Sequence, residues 1–181
     1  MDTNRVGHWL TLAANLGVIV GIAFLILEIR QNSNIATAQV RFDYASGWRS
    51  IDEQRQDEEF AQVYAKSILS PDELSLREVI QLDGYYTGVT DQMLSAYTAS
   101  RTGLRSGQFE YVARQVANGY FSNAYGQAWW QQSRVMWSNS DDFEFRRIMD
   151  KAIGATSQRG NQEFYEGMQR SLSRGVEDTD D

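Results

Sequence analysis

The sequence lacks cysteine altogether and contains one histidine and one proline among its 181 residues. Without cysteine the chain can form no disulfide, no thiolate metal site and no cysteine nucleophile. The histidine, His8, stands at the start of a hydrophobic segment. The remaining sequence therefore has no histidine for a Ser-His-Asp triad, a zinc site or a di-iron site. The single proline, Pro71, is compatible with long uninterrupted helices.

Motifs for binding phosphate or for acid–base chemistry are also missing. No Gly-Lys-Ser/Thr sequence occurs, so the chain has no loop of the type that cradles nucleotide phosphates. Glu53, Asp57, Glu58 and Glu59 form a carboxylate cluster, but a solvated polar surface explains such a cluster without any catalysis. We therefore predict that the protein is not an enzyme and has neither a cofactor nor a metal site.

The chain is acidic, with 17 basic against 24 acidic residues and a net charge of −7. Phosphate backbones attract basic protein surfaces, so this balance argues against a nucleic-acid partner. Several carboxylates stand at the end of the sequence, and residues 175–181 are predicted to form a short acidic tail in solvent.

A hydrophobic segment near the N-terminus is the clearest signal in the sequence. The stretch Trp9–Leu27 contains no charge, and only Thr11 and Asn15 in it are polar. A helix needs about 20 apolar residues to cross a bilayer core, and backbone amides in lipid must bond within the segment. We predict that residues 1–30 form an N-terminal segment with a transmembrane helix over about 9–29, in contact with membrane lipid.

Two other interpretations compete with this membrane anchor. A buried helix of a soluble protein is rarely free of charge on every side over such a length. A cleaved signal peptide usually has an apolar run of about 7–15 residues, which is shorter than the run found here. The Ala36-Thr37-Ala38 sequence that resembles a cleavage site also lies beyond a charged stretch. The sequence therefore favours the anchor.

Arginines beside the hydrophobic segment predict its orientation. Arg30, Arg41 and Arg49 follow the segment, whereas Arg5 is the one arginine or lysine that precedes it. Lysine and arginine close to a span are enriched on the cytoplasmic side of the membrane. We therefore predict a single-pass protein whose soluble domain lies in the cytoplasm.

Small residues recur every fourth position within the predicted span. Ala13, Gly17 and Gly21 share one helix face, and small residues allow two membrane helices to approach closely. Asn15 lies in the same region and carries an amide that would seek a hydrogen-bonding partner in lipid. These four residues are the predicted helix-packing site in the membrane, although glycine and alanine are also common in membrane helices that pack against nothing.

Beyond the span, residues 31–174 show apolar residues at steps of three and four, without a convincing period of two. This pattern predicts an all-α fold in which the transmembrane helix precedes a soluble, bundle-like domain of six to seven helices. The polar sequence Gln31-Asn32-Ser33-Asn34 either breaks the first helix at the membrane surface or solvates it.

Start and stop signals predict several helix boundaries. Ser70-Pro71-Asp72-Glu73 combines an N-cap serine, a proline at the first helical position and the glutamate of a capping box. The helix that starts there is predicted to end near Thr102-Gly103. Ser106-Gly107 predicts a break, and a later helix is expected to include Trp129, Trp130 and Trp137. Asp141-Asp142 opens the next helix, whose predicted inner face consists of Phe145, Ile148, Met149, Ala152 and Ile153. A loop follows from Gly154 to Gly160, and Phe164, Met168 and Leu172 mark the last predicted helix.

The stretch from Phe109 to Phe145 is rich in aromatic residues and includes Trp129, Trp130 and Trp137. These three tryptophans either fill the core of the domain or form a docking surface for a partner. Trp129 and Trp130 point about 100° apart on a helix, so we expect one of them to lie at a boundary between core and solvent.

Three short motifs resemble those of an uncharacterised group of bacterial proteins. The sequence I-L-E-I-R-Q-N-S at residues 26–33 resembles that group's I-R-Q-N-T motif, which directly follows a single N-terminal span. The G-Q-A-W-W sequence at residues 126–130 and D-F-E-F at 142–145 resemble its G-x-x-W-W and acidic-aromatic patterns. Ser33 stands where threonine is usual. The resemblance implies a single-span protein of the bacterial inner (cell) membrane with a helical domain, and it implies no activity.

These observations lead to two functional hypotheses. The first is a membrane-anchored structural or interaction protein that forms a homo-oligomer or serves as an accessory subunit of a larger membrane complex. The second is a membrane-tethered sensor or binding domain that takes up a small apolar ligand or a lipid among its aromatic residues.

Overall fold

The computed structural model describes residues 3–102, 109–137 and 142–177, and it describes side chains over 8–102, 109–137 and 142–173. Within these ranges the chain is almost entirely helical and has no strand, which confirms the predicted all-α class there. The break at Ser106-Gly107, the helix start at Asp141 and residues 178–181 of the tail lie outside the described residues.

Seven α-helices follow one another along the described chain. Their bounds are α1 Thr3–Gln56, α2 Glu58–Leu69, α3 Leu76–Arg101, α4 Phe109–Tyr120, α5 Ala124–Ser133, α6 Phe143–Gly154 and α7 Gly160–Glu177. Two short 3-10 turns, Pro71–Glu73 and Arg134–Trp137, follow α2 and α5. The second turn ends the helix that was expected to continue through Trp137. At the other end, α7 runs into the predicted tail.

The chain divides into two compact units, residues 1–42 and 43–181. The predicted division after residue 30 falls inside α1, which continues through Gln31-Asn32-Ser33-Asn34 without a break. Polar side chains on an exposed helix can point into solvent while the backbone keeps its bonds to the fourth preceding residue. All described residues of the first unit belong to the N-terminal part of α1.

The second unit contains the C-terminal end of α1 together with α2 to α7, in agreement with the predicted six to seven helices. Its central element is α3, which packs against α2, α4 and α5, while α4 also packs against α6. The apolar face predicted for α6 lies in this core, and the buried residues of that helix are Phe145, Ile148, Met149, Ala152 and Ile153.

The predicted start of α3 is wrong, because the N-cap of this helix is Ser75 and lies five residues after the predicted Ser70. Ser70 caps no helix with its side chain, because it ends α2 and donates its backbone N–H to the Lys66 carbonyl at 2.8 Å. The capping box is instead formed by Ser75 and Glu78. Both serines are followed three residues later by a glutamate, so the motif alone does not distinguish them.

This capping box predicts a pH-dependent contribution to stability. Hydrogen bonds from the Ser75 side chain and backbone, and from Lys66, lower the pKa of Glu78 from 4.5 to about 2. Because the folded-state pKa is depressed, the stabilisation is complete above pH 4.5 and is lost as the pH falls from there towards 2. We expect Glu78→Gln to flatten the decline in thermal stability over this interval, as measured by circular dichroism of the full chain in detergent.

The matched control for that measurement is Glu53→Gln, which changes an exposed carboxylate near the end of α1. Its pH profile is expected to follow that of the wild type. An unchanged profile for Glu78→Gln would contradict the role given to the capping box.

Ser75→Ala removes the cap itself and is expected to lower stability at neutral pH by about 1 kcal/mol.

Candidate functional site

The apolar part of α1 is not covered by any of the residues that the structure describes. Over its most hydrophobic window the mean hydropathy is 2.5, and none of that window is buried. Exposure of the large apolar side chains in this stretch runs from 46% at Val20 to 68% at Phe24. The helix is long and apolar enough to cross a membrane. Since it is uncovered, it is not a core helix of the described domain.

The predicted packing residues lie on this uncovered helix. A side chain added at Gly17 or Gly21 would meet no atom within 4 Å, so the face shared with Ala13 is open. Asn15 does not belong to this face, because two residues of α-helix turn it about 200° from Ala13. The structure therefore separates the predicted site into a stripe of three small residues and an amide on the other side.

Trp129, Trp130 and Trp137 are buried, with exposures of 7%, 0% and 6%. This burial favours the first of the two alternatives, a role in the core, and the expectation that Trp129 or Trp130 lies at a boundary is wrong. Both can be buried because α5 lies between two other helices. Trp129 donates its indole N–H to Asp83 of α3 at 2.8 Å, and Trp130 donates to Asp150 of α6 at 2.8 Å.

Ring contacts bind these tryptophans into the core. Trp130 stacks on Trp137 with centroids 5.7 Å apart and 18° between the planes, and Trp129 stacks on Tyr86 at 5.4 Å. Gly126 permits this packing, because a Cβ there would lie 2.9 Å from the Tyr86 hydroxyl. Neighbouring aromatic rings therefore occupy the space around these tryptophans. This packing does not support a ligand bound among them.

A groove of about 510 Å³ lies elsewhere on the domain. Its lining residues are Tyr97, Ser100, Arg101, Phe109, Glu110, Glu144 and Ile148. Three of these side chains are charged, which suits an apolar ligand poorly.

Sequence reasoning missed a polar and aromatic cluster where the end of α1 meets the rest of the second unit. We call it the Arg55 cluster, and its members are Trp48, Arg55, Tyr64, Tyr85, Tyr120 and Tyr165. The Arg55 guanidinium carbon lies 5.0 Å from the Tyr64 ring centroid and 5.3 Å from that of Tyr120. The same guanidinium donates a hydrogen bond to the Tyr165 hydroxyl. These contacts connect α1 with α2, α4 and α7.

The electrostatics of the Arg55 cluster favour a fixed charge over proton transfer. Burial alone would lower the pKa of Arg55, but its interactions with the neighbouring tyrosines raise that pKa above its ordinary value. Burial raises the pKa of Tyr64 and of Tyr85 well above the usual tyrosine value. The guanidinium therefore stays charged and the hydroxyls stay neutral at physiological pH, which suits a structural junction better than acid–base catalysis.

Two polar atoms of the Arg55 cluster have no hydrogen-bond partner among the described residues. They are the Tyr85 hydroxyl and the Trp48 indole nitrogen, both buried. A buried polar group without a partner costs about 1–3 kcal/mol. The sequence signal for this cluster was weak, because a single arginine at the end of a helix looks like an ordinary surface charge.

The described residues contain no group of three or more His, Asp or Glu side chains arranged to hold a metal ion. Comparisons with protein-family models, with curated proteins and with solved structures found no match to this chain. The resemblance to the bacterial group therefore rests on the three short motifs alone and stays a prediction. In the structure the first motif lies on exposed turns of α1, and Gly126, Trp129 and Trp130 of the second lie in the core.

Proposed function

We propose that the protein is a membrane-anchored interaction protein in which α1 spans a bilayer and associates with a second copy. The observation that carries this proposal is the uncovered apolar stretch of α1. Burial of apolar surface is worth about 25 cal/mol per Å², so a helix of this composition is strongly unfavourable in water. Lipid is the environment that satisfies both its side chains and its internally bonded backbone.

The open stripe at Ala13, Gly17 and Gly21 supports self-association within the bilayer. Helices in lipid gain little from hydrophobic burial against one another, so close van der Waals packing decides whether they pair. A stripe of small side chains allows that approach. The domain would then be held near its copy without any contact between the soluble surfaces.

The proposed side of the membrane and the proposed type of membrane rest on features of the sequence. We propose that residues 43–181 lie in the cytoplasm, because arginine and lysine close to a span are enriched on that side, and the motif resemblance suggests a bacterial inner membrane. Assembly with other membrane subunits remains part of the proposal, because the same stripe fits any helix with a small-residue face. The uncharged exterior of the span fits lipid contact on its other sides.

We expect Gly17→Leu to weaken self-association about tenfold, which corresponds to about 1.4 kcal/mol. The leucine would hold the two backbones apart while preserving the hydropathy needed for insertion. The measurement is sedimentation of the full chain in mild detergent at several protein-to-detergent ratios. The matched control is Ala23→Leu, which places the same side chain about 120° away from the centre of the stripe.

Two results would count against this part of the proposal. A wild-type chain that sediments as a monomer at every ratio would remove self-association. Equal weakening by both leucine variants would show that the stripe is not the contact. A larger particle containing other proteins would replace the second copy with a different partner and leave the anchor intact.

A further inference from the structure

The helix α7 is attached to the second unit in an unusual way. Among its described side chains, residues 160–173, only Asn161 is buried. Three large apolar side chains of α7 are instead exposed, with exposed fractions of 62% for Phe164, 50% for Met168 and 70% for Leu172. By contrast α6, with 12 residues against 18, buries five side chains in the core.

Polar contacts hold the first turn of α7 in place. Asn161 donates its backbone N–H to the Ser122 carbonyl at 2.8 Å. Its side-chain amide donates to the Tyr64 hydroxyl at 3.3 Å and to the Gly119 carbonyl at 3.5 Å. Gly160 packs directly on Ser122, where a Cβ would collide with the serine hydroxyl.

One further contact lies a turn along the helix, where Tyr165 accepts the hydrogen bond from Arg55. Tyr165 is itself 37% exposed, so water can compete for this bond. Net hydrogen bonds contribute only about 0.5–1.5 kcal/mol each. Elements with few buried apolar contacts open locally at free energies well below that of global unfolding.

We propose that α7 is a releasable strap, which leaves the domain as a unit while α2 to α6 stay folded. Its release uncovers the Tyr64 hydroxyl, the Gly119 carbonyl and the guanidinium of Arg55. Among the described side chains, the core loses no apolar one in this step, so the remaining helices keep their packing. The proposal is independent of the membrane anchor, because each of these contacts lies within residues 43–181.

Hydrogen exchange on the full chain in detergent micelles tests the strap. We expect the amides of residues 164–175 to exchange at one common rate, at least about a hundredfold faster than the slowest amides of α3. Ordinary fraying gives a different pattern, in which exchange slows steadily from the C-terminus of α7 towards Phe164. Either that gradient or exchange of α7 at the rate of α3 would overturn the proposal.

Two variants test which contacts attach α7 to the rest of the second unit. Asn161→Ala is expected to accelerate exchange throughout α7 by about five- to thirtyfold, and Tyr165→Phe by about two- to tenfold, with α3 unchanged in both. Gln169→Ala alters an exposed amide on the same helix and is expected to have little effect. If Asn161→Ala disturbs the whole domain, Tyr165→Phe still decides the matter, because it removes a single hydroxyl. No acceleration in Tyr165→Phe would show that the Arg55 contact does not hold the strap.

Discussion

Replacing Ile19 and Ile22 together with arginine is expected to move the protein from the membrane fraction into the supernatant. Both side chains lie in the uncovered apolar stretch of α1, with exposures of 63% and 52%. An arginine at the centre of a span costs about 2.5–3.5 kcal/mol on insertion scales, so the pair costs about 5–7 kcal/mol. The measurement is the share of the full chain that pellets with membranes after an alkaline carbonate wash.

The control for this experiment replaces the same two isoleucines with leucine, which preserves apolar character and should leave the protein in the pellet. Intact mass of the wild-type protein distinguishes the anchor from a signal peptide. A mature chain that begins after Ala38 would contradict the anchor, as would a wild-type protein that the carbonate wash releases.

Thiol labelling in the same cells tests on which side of the bilayer the domain lies. Since the chain contains no cysteine, a cysteine introduced at the exposed position Gln131 would be its one thiol. A reagent that does not cross membranes should label this thiol in spheroplasts only after permeabilisation. Labelling of intact spheroplasts would place the domain on the opposite side and contradict the positive-inside argument.

The helical class and the inner face of α6 could be predicted from sequence because both depend on local periodicity. Apolar residues at steps of three and four mark one face of a helix wherever that helix packs. The five α6 residues predicted to face inwards are all buried. The same periodicity in α7 predicted the helix but not the exposure of its apolar side chains, because Phe164, Met168 and Leu172 are at least half exposed.

Other features depend on tertiary placement and could not be predicted in this way. Ser70 and Ser75 carry the same capping signal, and only the end of α2 at Leu69 decides between them. The Arg55 cluster joins Arg55 to Tyr165, which lies 110 positions later in the chain, so no local pattern contains it. Trp129 and Trp130 were expected to differ in burial because a helix at the edge of a bundle buries only one face. In the structure α5 is covered on two faces, so both side chains are buried.

The burial of Trp130 gives the largest stability effect that we expect from one substitution in the domain. Its side chain is fully buried, it stacks on Trp137, and its indole N–H bonds to Asp150. Trp130→Ala removes this packing and leaves a cavity, which typically costs about 3–5 kcal/mol for a tryptophan. Stabilities of small domains are commonly about 5–15 kcal/mol, so this variant should be largely unfolded or much less stable.

Denaturant unfolding of the full chain in detergent, followed by near-ultraviolet circular dichroism, measures this loss. Trp130→Phe separates its two causes, because it retains an aromatic ring beside Trp137 but leaves the Asp150 carboxylate without the indole donor. That carboxylate keeps its ion pair with Arg134 at 3.0 Å, so we expect an intermediate loss of about 1–3 kcal/mol. Gln131→Ala, at the exposed neighbouring position, should stay within about 0.5 kcal/mol of the wild type. If Trp130→Ala were as stable as that control, the tryptophan could not be the core residue that its contacts indicate.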